Sequence, residues 1–291
     1  MNALSCEIKP DWAKTWEDGI LNAWSRQFII NYGSIEEAWN QKAAEYEGDM
    51  KHSNRALFVE KILQHNPKTI VDVGAGTGVF AIPLAKNAEK VVAVEPSRGM
   101  LDILRKKAED EGLTNIEYIN KRWEDVTTHE LHRINAGKYD AVICSHALYY
   151  ITDLHHSLRK MDDISGGSVH LLTGGSHNIN SQDHSRLWAR IHGKPAPAYP
   201  DYSCLYMVLR EIGLHPDIEM LNARAKKHIT SMDDLYDRWK EYLEIDSEMT
   251  DDQKDAIQEY VADRIIEENG ERYLEWKSQD ALIHWTTGRE Y

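Results

Sequence analysis

Three glycines spaced two apart, Gly74, Gly76 and Gly78, close the β-branched run TIVDV and open a helical stretch. Glycine has no Cβ, so a strand that ends this way lets backbone N–H groups approach a ligand closely. Asp72, two residues before the first glycine, adds a carboxylate at the entrance to that turn. Twenty-one residues after Gly74 comes Glu95, followed by Pro96. A residue before proline is held extended, which puts Glu95 at the carboxyl end of a second strand. There a carboxylate can accept hydrogen bonds from two ribose hydroxyls. Ser97 is suited to cap the next helix. Together these residues fit an adenosine ligand; for the loop alone, a plain glycine-rich turn is the alternative.

The elements that must position them alternate. Strands are expected at 69–73, 90–95, 116–120, 140–145 and 168–173, with amphipathic helices at 79–87, 97–111 and 154–161 between them. That alternation argues for a parallel sheet with crossover helices. The unbroken apolar runs VVAV and AVIC predict strands covered on both faces. Pro83 is comfortable only in a first turn, so its helix should start late or bend. Upstream, Ile35, Ala38, Trp39, Lys42, Ala43 and Tyr46 share a helix face, and a second helix over 54–65 follows a Ser53 cap. Downstream come a short helix near 184–191, a helix over 202–212, a sixth strand in HPDIEMLN, charged helices over 232–244 and 251–269, and a strand in ALIHWTT.

Composition narrows the function. Lys and Arg total 34 against 48 Asp and Glu, a formal charge of −14, and the longest basic run is Arg105-Lys106-Lys107. Such a chain is ill suited to gripping nucleic-acid backbones, so no nucleic-acid partner is expected. Cys6, Cys144 and Cys204 lie far apart, and the N-terminus lacks the apolar core of a signal peptide. These features predict a cytoplasmic protein with no membrane span. No metal is expected: His155 and His156 are adjacent and diverge on a helix, only His184 and His192 share a face, and no H-x-x-x-H occurs. Trp188, Trp239, Trp276 and Trp285 suit packing first and an aromatic acceptor pocket second.

NAD and S-adenosylmethionine both contain adenosine. Val79 stands where the dinucleotide fingerprint G-x-G-x-x-G has its third glycine. Asp72 would repel a pyrophosphate but suit an ammonium group, and an acidic chain suits a sulfonium. These features favour S-adenosylmethionine.

IVDVGAGTGVF followed by VVAVEPSRGML resembles the first motif and acidic second strand of the class I S-adenosylmethionine-dependent methyltransferases. EEAWNQKAAEY is similar to the lid helix of their small-molecule branch, IEYINKRWEDV to the third-strand segment, and KYDAVICSHALYYITDL to the fourth-strand motif. The resemblance covers about residues 35–173. It implies that Gly74, Gly76 and Gly78 line the methionyl part of the cofactor and that Asp72 reaches its amino group. Glu95 and Pro96 would lie at the ribose, Met100 near the adenine, and Trp123 and Glu124 around the ring. Arg122 stands where many relatives have Asp, leaving Glu124 or Asp125 for the amino edge. Ser145 and His146 would lie near the sulfonium and Tyr46 over the methionine end. His146 is the candidate general base, and Tyr149 and Tyr150 would shape the acceptor pocket.

The expected fold is α/β, a Rossmann-like seven-stranded mostly parallel sheet with helices on both faces. Residues 1–53 are expected to form a helical lid, 54–173 the cofactor-binding core, and 174–291 the remaining strands with helical insertions around a small-molecule acceptor. The expected reaction is methyl transfer from S-adenosylmethionine. An NAD-dependent oxidoreductase and a non-catalytic S-adenosylmethionine-binding protein are the alternatives.

Overall fold

The computed structural model describes residues 10–22, 29–49, 54–175, 179–197, 200–245 and 247–288. Ser53, Cys6 and His177 lie outside the described residues. In chain order the elements are α1 (Trp12–Asn22), α2 (Ile35–Asp49), α3 (Arg55–Leu63), β1 (Thr69–Val73), α4 (Ala81–Ala85), β2 (Lys90–Val94), α5 (Arg98–Asp110), β3 (Ile116–Ile119), α6 (Thr128–Ile134) and β4 (Tyr139–Ser145). There follow α7 (Leu154–Ile164), β5 (Ser165–Gly174), α8 (Ile179–His192), α9 (Tyr202–Glu211), β6 (Asp217–His228), α10 (Met232–Tyr242), α11 (Asp251–Ala262), β7 (Ile265–Glu268) and β8 (Glu271–Thr286).

The sheet runs β3-β2-β1-β4-β5-β8-β6. The first five strands are mutually parallel, and β8 is antiparallel to both neighbours. The order reverses between β1 and β4, so the crevice at their carboxyl ends is where an open sheet of this kind takes a ligand. Side chains alternate across the strands. Val71, Val73, Val92, Val94, Val142 and Leu171 enter one core with α1, α6, α7 and α9. Ile70, Val91, Ala93, Ile143 and Leu172 enter the other with α3, α4 and α5. Both faces are covered, as the apolar runs require.

Pro83 lies in the first turn of α4, which starts late, at Ala81, as the proline requires. Two local outcomes differ from the sequence reading. The helix expected over 251–269 ends at Ala262; β7 follows, and Asn269 (φ 54°) and Gly270 (φ 79°) turn it into β8. An Asn-Gly pair with two positive φ values matches the right-handed twist of a hairpin. Asn54, not Ser53, precedes α3, and its side chain makes no cap.

The expected lid also divides. Trp16 of α1 is fully buried, and its Nε1 donates to Ile151 O at 3.1 Å. Cys204 Sγ lies 3.5 Å from Trp12 O. Helix α1 therefore packs into the core through Trp16. Trp16→Ala should destabilise the protein by about 3–5 kcal/mol in chemical denaturation. Its effect on ligand affinity, measured well below the unfolding transition, should be negligible.

A third apolar cluster lies beyond the two that flank the parallel strands. Leu187, Trp188, Ile229, Leu235, Leu243, Ile257, Val261 and Leu274 gather α8, α10 and α11 around the outer halves of β6 and β8. Trp188 and Trp285 are 3% exposed, so both are core residues. Among the described residues no helix is long and apolar enough to cross a membrane.

Candidate active site

The three glycines have three different reasons to be glycine. All have positive φ, 74°, 53° and 82° in order, a region costly for residues with a Cβ. A Cβ on Gly74 would lie 2.2 Å from the Ala147 methyl, and one on Gly78 would lie 2.8 Å from Leu104 Cγ. Gly74 thus admits the loop after β4, and Gly78 admits α5. A Cβ on Gly76 would meet nothing within 4 Å. Only Gly76 opens a space for a ligand.

Asp72 follows the strand alternation onto the face that Ile70 occupies. It is 1% exposed, and its Oδ2 has no hydrogen-bond partner; the backbone N–H of Ala81 bonds the same group. Burial, then the neighbouring Glu95, pushes its pKa up to about 7. Glu95 is 7% exposed. Its Oε2 accepts from Gly76 N and its Oε1 from Ser97 N, both at 2.9 Å. Burial outweighs those two bonds and raises its pKa to about 7 as well. Each carboxylate oxygen has a further lone pair, so Glu95 can brace the loop and still accept from a ligand. Asn120 Nδ2 ties the same corner by donating to the carbonyls of Glu95 and Pro96.

Two hydroxyls at this end of the sheet, Thr77 Oγ1 and Ser145 Oγ, are also buried without partners. Register pairs Val73 with Cys144, so Ser145 ends its strand beside the glycine loop. His146 follows with φ 51°, and its amide donates to Leu172 O at 2.8 Å. Packing lowers its pKa to about 4, which leaves the imidazole neutral at physiological pH.

Helix α2 spans these strand ends. Asn40 Oδ1 accepts from Ser97 Oγ and Gly99 N, docking α2 on the start of α5. Glu36 pairs with Arg122 at 3.5 Å, and Arg122 also reaches Glu124. Trp39 stands edge-on to Tyr46 (5.4 Å between centroids) and to Tyr150 (6.0 Å).

Two residues expected at the adenine are almost fully buried. Trp123 is 3% exposed, and its Nε1 donates to Ser157 O. Lys160 Nζ lies 4.5 Å above its ring and donates to the carbonyls of Trp123, Glu124 and Val126. The Trp123 ring is thus enclosed in the core and offers a ligand almost no surface. Met100 is likewise 3% exposed, beneath the start of α5. Glu124, half-buried beside Arg122, is left as the polar group of this segment. The Tyr149 hydroxyl accepts from Thr173 Oγ1 at 2.8 Å and from Gly174 N at 2.6 Å, fixing that ring against β5. No cluster of three or more ligating side chains suited to a metal occurs among the described residues.

Residues 70–164, the span from β1 through α7, match the family model described as a methyltransferase domain. This segment is a methyltransferase domain. The chain is similar in sequence to a ubiquinone biosynthesis O-methyltransferase of Acinetobacter baylyi. That match is 29% identical over 171 residues, 57% of this chain and 67% of the other. A shorter match, 46% identical over 87 residues, covers 30% of this chain and 29% of a Methanosphaera stadtmanae protein named "Probable ribosomal RNA small subunit methyltransferase A". The chain spans about half of the Acinetobacter baumannii relatives it matches (49%). Among solved structures, the YcgJ protein of Bacillus subtilis aligns at a TM-score of 0.53, with 13% identity over 81% of this chain and 99% of that one. Protein BH2331 of Bacillus halodurans aligns at 0.52, with 18% identity over 79% and 99%. Both likenesses are of fold. The matched segment ends at α7, and β5, α8 to α11 and β6 to β8 lie outside it.

The family's cofactor fits this site on two observations. Asp72 holds a buried oxygen that lacks a donor, and Gly76 faces open space beside it. A buried carboxylate oxygen without a donor is costly unless a cation or donor arrives.

Proposed function

We propose that this chain moves a methyl group from S-adenosylmethionine to a small-molecule acceptor. The observation that carries the reading is the unpartnered Asp72 Oδ2 beside the open face of Gly76. Asp72 would pair with the ammonium of the cofactor and Glu95 would accept from its ribose. Tyr46 and Trp39 would close the methionine end, with Ser145 and His146 next to the reacting carbon. Bound S-adenosylmethionine supplies an already activated methyl group. The chain's own residues therefore have to align the acceptor, keep water out and remove a proton. His146, neutral at physiological pH, is able to accept that proton although burial weakens it as a base, and Tyr149 and Tyr150 would wall the acceptor.

In this reading α2 is the lid, residues 54–173 hold the cofactor, and residues 174–291 complete the sheet and surround the acceptor. The charge of −14 supports a small molecule over a nucleic acid, and Cys144 and Cys204, both free, fit a cytoplasmic enzyme.

Calorimetry with S-adenosylmethionine, S-adenosylhomocysteine and NADH tests the cofactor. Binding of the first two and not the third is expected; NADH binding alone would favour an oxidoreductase. Methyl-labelled S-adenosylmethionine incubated with a small-metabolite pool tests catalysis, and absence of labelled product despite binding would leave a binding protein. On the acceptor so found, His146→Ala should lower kcat by about 10²–10⁴-fold, with cofactor affinity within about twofold of wild type.

A further inference from the structure

Asp280 lies far down the chain in β8, in a segment outside the family match, yet it reaches the catalytic end of the sheet. Register sets it opposite Gly174, the last residue of β5. Its Oδ1 is 3.9 Å from His146 Nε2, with the two side chains 16% and 27% exposed. Its Oδ2 accepts from Asn54 Nδ2 at 2.8 Å. Asn54 is 7% exposed and stands at the N-cap position of α3, where an asparagine side chain would ordinarily bond the helix. Here that side chain holds the Asp280 carboxylate.

His146 is also fixed. A positive φ at a residue with a Cβ costs on the order of 1–2 kcal/mol and persists only where the surroundings impose it. The bond from its amide to Leu172 O and the seat of Ala147 against Gly74 impose it here. Tyr149, 6.3 Å away in ring centroid and anchored on Thr173 and Gly174, is a further titratable group facing the imidazole.

We propose that Asp280 is a positioning residue for His146, holding the imidazole with its proton on Nε2 so that Nδ1 is the base. Which nitrogen of a histidine carries the proton is set by the partner of the other. The acceptor's X–H bond breaks and its proton passes to Nδ1. The freed electron pair takes the methyl group, whose former bonding pair stays on sulfur. The imidazolium then faces the Asp280 carboxylate, which offsets the burial that opposes its charge.

This inference rests on the methyl-transfer reading, and one set of samples separates the two. Full-length protein labelled with ¹⁵N-histidine would be examined at pH 7.5 with S-adenosylhomocysteine, His146→Gln assigning the signals. The proton of wild-type His146 is expected on Nε2. In Asp280→Ala the Nε2-protonated fraction should fall at least about threefold. A wild-type proton on Nδ1 overturns the role of Asp280 even if the variant fails to fold, and so does an unchanged tautomer in a folded variant. Failure to bind S-adenosylhomocysteine at all would instead overturn the methyl-transfer reading.

Discussion

Replacing Asp72 by asparagine should cost S-adenosylmethionine affinity about 100-fold or more while stabilising the cofactor-free protein above pH 7. Both effects have one cause. The Asp72 carboxyl is 1% exposed, one of its oxygens has no donor, and Glu95 is its electrostatic neighbour. In the unfolded chain these two groups titrate near pH 4; in the fold both are raised to about 7. Between those values the folded protein binds protons that the unfolded chain releases, so stability falls as pH rises from about 4 through about 7. The loss is complete once the folded carboxyls ionise. Asparagine removes one of the charges and relieves the other, so its advantage should appear at pH 8 and vanish near pH 4.

For a chain of this size, a gain of about 1–2 kcal/mol would raise Tm by roughly 2–8 °C. Ligand binding runs the opposite way. An ammonium prefers the ionised carboxylate, so wild-type affinity should climb between pH 6 and 8, and the Asp72→Asn variant should not follow it. Calorimetry at several pH values and thermal unfolding of the ligand-free protein measure the two halves. Wild-type affinity in the variant would remove Asp72 from the cofactor site.

What the sequence disclosed at this site was local. The strand, the glycine turn, Asp72, Glu95 and the Ser97 cap lie within one strand–turn–helix unit and its successor. There the period of the side chains and the proline after Glu95 determine where each residue points. Contacts made across the fold were not legible. Trp123 sits in a polar-looking segment, and only Lys160 and Ser157, on a later helix, show that its ring is enclosed. Helix α1 reads as part of a lid until Trp16 meets Ile151 O. Asp280 needs the register of β5 with β8 before it can be connected with His146. The β7–β8 hairpin was different, since Asn269-Gly270 is a turn signal in plain view. The helical charge pattern leading up to it hid the strand that precedes it.

The glycines carry the second large prediction, because three residues of one motif should fail in different ways. Gly76→Val should abolish S-adenosylmethionine binding yet leave a folded protein. The new side chain enters the space that a Cβ finds empty, and the cost to the fold is the positive φ, roughly 1–2 kcal/mol. Gly74→Ala should instead damage the fold, since its methyl would lie 2.2 Å from that of Ala147. Overpacking of about 1–3 kcal/mol adds to the backbone strain. Its ligand affinity should suffer only as the loop after β4 shifts. Removing the obstructing methyl supplies the control: Gly74→Ala combined with Ala147→Gly should recover the overpacking part and leave the strain. Denaturant unfolding of the two single variants and the double gives the coupling directly. A coupling energy near zero would mean that Gly74 is not there to seat the loop that presents His146. A Gly76→Val protein that still binds S-adenosylmethionine would mean that the cofactor lies elsewhere.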